Sequence, residues 1–210
     1  LPLGVLSMKT WVRAPQDAGK ARQRRALPIR EKESAKWLEG LECLEPLKPQ
    51  CPDTRLVAVS DREGDVYDVF LAQRPAGVDW LVRAAWNRSV DHPEKYLWET
   101  VVAAPVLGQT ELHVPASGSR QARSARLALR CVPVQLRAPR SRAAENLPSL
   151  EVFAIHALEI EPPQGVEPLE WMLLSSMPTQ TLEDVLERLN WYARRWTIES
   201  WHRVLKSGCQ

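Results

Sequence analysis

Apolar and polar positions change rhythm several times along the chain. Residues 3–13 are apolar with partial alternation and predict a strand, while residues 14–29 are polar and basic between prolines and predict a loop. Residues 31–42 set Trp37, Leu38 and Leu41 at helical spacing among good helix formers. The unbroken apolar run 56–60 predicts a strand buried on both faces, and it ends at Asp61-Arg62-Glu63-Gly64-Asp65. Helical spacing resumes with Val66, Val69, Phe70 and Leu71, and residues 80–86 predict another strand. Strand, acidic turn, helix and strand in that order predict an α/β fold, a sheet with helices packed on it.

Beyond residue 90 the rhythm is different. Short β-rich runs (111–114, 126–136 and 150–160) are separated by Pro, Gly and Ser stretches, with no long helical period. They predict an antiparallel β insertion. A turn at 162–165 precedes a strand at 169–175, and Thr181 with Asp184 forms a capping-box variant that opens a last helix running through Lys206. The chain therefore divides into a first part of the core (1–89), the insertion (90–167), and the last strand and helix of the core (168–210).

Composition adds bounds. With 210 residues and 44% apolar content the chain can bury one sizeable core. The net charge is only +2, but it is unevenly spread. No acid lies between Glu111 and Glu145, where Arg120, Arg123, Arg126, Arg130, Arg137, Arg140 and Arg142 all fall, and Lys20, Arg22, Arg24 and Arg25 form a second basic cluster. Local patches of this kind suit phosphate contact. Cys43, Cys51, Cys131 and Cys209 lack zinc-ligand spacing and read as free thiols of a reducing cytoplasm. No apolar run approaches the ~20 residues that span a bilayer, so no membrane partner is expected. A chain that opens on Leu1 reads as a piece of something longer.

The last helix carries the candidate chemistry. At helical spacing, Arg188, Tyr192, Arg195, Glu199 and Lys206 share one narrow stripe, which sets a lone carboxylate among three cations and a phenol. The plain alternative is a solvated face with (i, i+4) ion pairs. Asp61 ends an apolar strand, where α/β folds place ligand-contacting groups, although a helix N-cap would account for it equally. Together, Asp61 and Glu199 could hold Mg²⁺ or Mn²⁺, hard ions that favour oxygen ligands. His202, to one side of the stripe, is a candidate phosphate contact. Trp86 stands between Arg83 and Arg88, an aromatic among cations.

Asp61-Arg62-Glu63-Gly64-Asp65, followed by the spacing of Tyr192, Arg195, Glu199 and Lys206, resembles the DDE transposases of bacterial insertion sequences, specifically the insertion-sequence-four family with its tyrosine–arginine–glutamate–lysine helix motif. Residues 31–38 and 168–176 also resemble that family. The resemblance implies an RNase H-like core interrupted by a β insertion, acting on double-stranded DNA in the bacterial cytoplasm with Mg²⁺, for which Mn²⁺ can substitute. It implies a second transposase protomer as partner of the full-length protein. Asp61 and Glu199 match catalytic, metal-binding carboxylates. Tyr192, Arg195 and Lys206 match phosphate-gripping positions, Arg83 and Arg88 match DNA contacts, and Trp171 matches a tryptophan that stacks on a flipped base. Core packing is the alternative for Trp171.

The family's first aspartate has no match here. Every acid before Asp61 lies in a loop or amphipathic-helix context, and the resemblance places the missing one before Leu1. The expectation is a transposase catalytic domain that is inactive as this polypeptide. The alternatives are a non-catalytic DNA-binding remnant and an RNase H-like nuclease unrelated to mobile DNA.

Overall fold

The computed structural model describes residues 4–8, 27–116 and 121–208, and its frame is one six-stranded mixed sheet with helices on both faces. The strands are β1 (Leu56–Ser60), β2 (Val78–Arg83), β3 (Gly108–Val114), β4 (Arg123–Leu136), β5 (Leu150–Glu159) and β6 (Glu170–Ser175), in the order β1-β2-β6-β5-β4-β3. The β1–β2 pair is parallel, and every other pair is antiparallel. The three strands of the expected insertion, β3 to β5, are antiparallel to one another and extend the same sheet, since β5 pairs with β6 from Phe153↔Ser175 to Leu158↔Glu170. Segment 90–167 also holds a helix that its sequence rhythm does not announce, α3 (Leu97–Ala103).

The two-residue period of the strands divides the core into two layers. Trp80, Val82, Val152, Ala154, Met172 and Leu174 face α1 (Ala35–Glu42), α2 (Tyr67–Leu71) and α3. Leu81, Leu127, Leu129, Ile155, Trp171 and Leu173 face α4 (Leu182–Arg194), which lays Val185, Leu189 and Tyr192 on them. This alternation decides the placement of chemistry. Odd-numbered residues of β1 and β2 point to the α4 layer, so Asp61, just past β1, and Arg83, the last residue of β2, share that side with Tyr192.

Three expectations are corrected. β1 is an edge strand among the described residues, and four of its five residues are only half-buried, so its two faces are only partly covered, Leu56 and Ala58 packing on one layer and Val57 and Val59 on the other. The strand expected at 80–86 starts earlier, at Val78, and stops at Arg83, because the Ala85 and Trp86 N–H groups turn inward to the Asp65 carboxylate instead of a neighbouring strand. The single last helix is two, α4 and α5 (Trp196–Gly208), divided at Arg195. There the Arg195 N–H donates to the Tyr192 carbonyl and the Ile198 N–H to the Arg195 carbonyl, i→i−3 bonds that tighten the turn.

Elsewhere the local reading holds. Thr181 caps α4 with a complete capping box: its hydroxyl accepts from the Asp184 N–H at 3.1 Å, and the Asp184 carboxylate accepts from the Thr181 N–H at 3.0 Å. Residues 4–8 carry no strand, and the rest of the strand expected at 3–13 lies outside the described residues, as do Lys20, Arg22, Arg24, Arg25, Arg120 and Cys209. Cys43, Cys51 and Cys131 are free thiols. Among the described residues, no helix is long and apolar enough to cross a membrane.

Candidate functional site

Asp61 and Glu199 meet on one guanidinium. Arg195 Nη2 donates to Glu199 Oε1 at 2.8 Å, and Arg195 Nη1 lies 3.7 Å from Asp61 Oδ2. A planar guanidinium contacting both places the two carboxylates within roughly 9 Å of each other, across its two edges. Asp61 arrives there because the chain turns out of β1 into a short 3₁₀ turn, Arg62–Gly64, and its Oδ1 caps that turn by accepting the Glu63 N–H at 3.0 Å. The capping reading of Asp61 holds: one oxygen serves the turn, and the other faces Arg195.

Gly64 makes that turn possible. A Cβ at this position would lie 2.1 Å from the Ser60 hydroxyl and 2.6 Å from the Ser60 Cβ, in the close approach between the turn and the end of β1. Glu63 leans outward to Lys36 on α1 at 2.7 Å.

Tyr192 and Arg83 complete the cluster. Tyr192 is buried beneath Arg195, whose guanidinium carbon lies 5.9 Å from the phenol ring centre. Arg83 donates to the Glu170 carbonyl at 2.9 Å. Burial is the main force holding its guanidinium below the ordinary arginine range; the nearby Tyr192 phenol opposes the shift, and the Arg62 and Arg195 cations add to it. Arg62 and Arg195 thus lie near Arg83, and Arg195 brings the Asp61 and Glu199 carboxylates to this group.

Trp171 lies directly below, only 2% exposed. Its ring meets Tyr192 at 4.8 Å and Trp196 at 5.5 Å, both edge-on. In this conformation it is the floor of the site, and its indole is not open to a nucleobase. Arg88 stands apart from the cluster: its Nε donates to Asp65 Oδ1 at 2.8 Å and its Nη2 to the Asp65 carbonyl at 2.9 Å, in a nearly dry pocket over the rings of Tyr67 and Phe70. Arg188 leaves the predicted stripe as well, being buried, with its Nη2 on the Pro178 carbonyl at 3.2 Å and its charge against Glu187. His202 is exposed on α5 with its ring against Trp201. Lys206 lies in α5, and its side chain is outside the described residues.

The acid-free arginine segment does not survive folding as a bare patch. Arg123 pairs with Glu159, Arg126 with Glu161, Arg137 with Asp91 at 2.6 Å, and Arg142 with Asp68 at 2.6 Å and with Glu145. Arg130 donates to the Ala104 carbonyl at 3.1 Å. Acids from neighbouring strands and loops neutralise most of what the linear sequence shows as unopposed charge.

Asp61 and Glu199 offer hard carboxylate oxygens, and both side chains retain substantial exposure to water. Among the described residues, no group of three acidic, histidine or cysteine side chains could hold a metal ion. As they stand the two carboxylates are held apart by Arg195; a Mg²⁺ reached by both would take the rest of its shell from water and phosphate, the usual manner of that ion. They do not form an all-protein cage. No family model matches the chain.

Two features escaped the sequence reading. The helix division at Arg195 has no Gly or Pro to mark it. Asp65 is buried and takes four hydrogen bonds to its carboxylate, a role that its place in a polar turn does not announce. The second aspartate of the Asp61–Asp65 motif, followed by an arginine after the next strand, is the one available signal.

Proposed function

We propose that this chain is the catalytic core of a DNA transposase of the DDE type, with an RNase H-like arrangement of its sheet and helices. The observation that carries this reading is the meeting of Asp61 and Glu199, remote in sequence, on the Arg195 guanidinium, with Tyr192 and Arg83 beside them. The helix motif supports it, because its arginine lies over its tyrosine and contacts both its glutamate and the acid just past β1.

In this reading Asp61 and Glu199 hold Mg²⁺, with Mn²⁺ able to substitute, and the bound ion would activate the attacking oxygen and stabilise the leaving oxygen of a phosphodiester. Arg83, Arg195 and Lys206 offset phosphate charge, and Tyr192 braces Arg195 from below. Double-stranded transposon ends are the substrate, and a second protomer is the partner of the full-length protein. In this reading Asp61 and Glu199 are two of the carboxylates of the set, and cleavage needs a third. Removing one member of such a set abolishes chemistry rather than weakening it, so the polypeptide binds DNA ends without cutting them.

A second reading is a non-catalytic DNA-binding remnant. The observation favouring it is that Arg195 already neutralises the carboxylate pair. Calorimetric titration with Mn²⁺ in the presence of a saturating duplex oligonucleotide separates the two. The transposase reading expects binding that is lost in Asp61→Ala and in Glu199→Ala, whereas equal weak binding in all three proteins would leave only the remnant. Duplex binding should also weaken steeply between low and physiological salt, as phosphate contact requires.

A further inference from the structure

Arg195 stands where a cation would stand, and its grip is incomplete. Only the Glu199 contact, at 2.8 Å, is a hydrogen bond; the Asp61 contact, at 3.7 Å, is a longer ion pair. Its Nε is buried with no hydrogen-bond partner. The residue also sits at the division between α4 and α5, where two i→i−3 bonds replace the regular ladder. A tightened stretch within a helix is a common hinge. Asp61 belongs to the sheet side of that hinge and Glu199 to α5, so the guanidinium ties the two sides together.

A divalent cation cannot simply join this arrangement. Placed between Asp61 and Glu199 it would face the Arg195 charge at close range, with Arg83 and Arg62 nearby. A phosphodiester relieves both difficulties. Its oxygens accept from a guanidinium in a fork geometry that matches better than two separated carboxylates do. They also supply ligands that two carboxylates lack, as phosphates commonly do for Mg²⁺.

Resting on the function proposed above, we propose that Arg195 is an exchangeable internal counter-cation: a DNA phosphate draws its guanidinium off Asp61 and Glu199 and a divalent cation takes its place, so that cation and DNA bind as a coupled pair. Without DNA the carboxylates stay neutralised and the cation affinity stays low. By linkage, the factor by which duplex tightens the cation is the factor by which the cation tightens duplex.

The test is calorimetric titration of Mn²⁺ into the wild-type chain, Arg195→Gln, Asp61→Ala and Glu199→Ala, each alone and with a saturating duplex oligonucleotide. The expected result is tightening of the wild-type affinity by duplex of roughly 10-fold or more, within the usual span of coupling between sites. Arg195→Gln should bind Mn²⁺ more tightly than wild type in the absence of duplex, and duplex should add little to it. Should Arg195→Gln not fold, Arg195→Lys keeps the charge but loses the planar fork, and weaker coupling than wild type is then expected.

Wild-type affinity indifferent to duplex, or a variant with wild-type affinity and coupling, overturns the exchange. If Mn²⁺ binding still needs both carboxylates, only the exchange falls. If binding ignores Asp61→Ala and Glu199→Ala, the transposase reading falls with it.

Discussion

Asp65 and Arg88 form a closed pair in the interior: the carboxylate is fully buried, the guanidinium nearly so, and Arg88 Nε lies 2.8 Å from Asp65 Oδ1. The other carboxylate oxygen accepts the N–H groups of Ala85 at 2.7 Å and Trp86 at 3.0 Å, so one side chain ties the turn after Asp61 to the loop after β2. Removing one partner of a buried pair leaves an uncompensated charge, which costs about 3–5 kcal/mol. Asp65→Ala should therefore lower unfolding stability by that amount in a urea titration, and Asp65→Leu combined with Arg88→Met should recover part of it. A loss below about 1 kcal/mol in Asp65→Ala would mean that the loop has another anchor.

Gly64 is the second point on which the Asp61 turn depends. The Cβ of an alanine would meet both the hydroxyl and the Cβ of Ser60, so Gly64→Ala should cost about 1–3 kcal/mol through forced backbone movement. Ser60→Ala does not relieve the clash, because the Cβ at that position remains 2.6 Å away. Ser60→Gly in the Gly64→Ala background should restore most of the loss. If Ser60→Ala and Ser60→Gly, each combined with Gly64→Ala, gave equal stabilities in thermal unfolding, the steric account would be refuted.

How far the site could be read in advance follows from the range of the interactions involved. Thr181 and Asp184 act within one turn, and their capping box was plain in the sequence. The two-residue period of β1 put Asp61 on a definite face, which is enough to bring it toward α4. The arginine segment misled because its partners Asp68, Asp91, Glu159 and Glu161 come from other elements, and pairing across strands is invisible to a linear count of charge. Trp171 fits both base stacking and core packing by type alone; only the position of α4 and α5 over β6 shows it beneath Tyr192 and Trp196.

Asp184 gives a pH signature. Hydrogen bonds from the Gln180 and Thr181 backbone N–H groups, and then the Thr181 side chain, hold its carboxyl down at about 2, below an unfolded value of 3.8. A depressed acid contributes stability that is present above the unfolded value and is lost as pH falls through the folded one. Stability should thus decline between about pH 4 and pH 2, and Asp184→Asn should flatten part of that decline. Circular dichroism melts across this window check the sign: an unchanged acid limb in Asp184→Asn would rule out the capping carboxylate as its source.

Trp86 is an exposed aromatic among cations, and it remains open to stacking once Trp171 is assigned to the floor of the site. It is 65% exposed, while its own backbone N–H is clamped by Asp65, so the indole is presented on a fixed loop instead of a loose one. Preorganised exposed aromatics suit stacking on unpaired bases, worth about 1–3 kcal/mol per base. Trp86→Ala should leave unfolding stability within about 0.5 kcal/mol, as for a surface change that removes no internal contact. It should weaken binding to an oligonucleotide with unpaired end bases by roughly 5- to 150-fold, with Trp86→Phe retaining most of the affinity. Fluorescence anisotropy on that substrate, beside a fully paired duplex, decides the point. A loss confined to the unpaired substrate supports stacking, whereas an equal loss on both would make Trp86 a backbone contact.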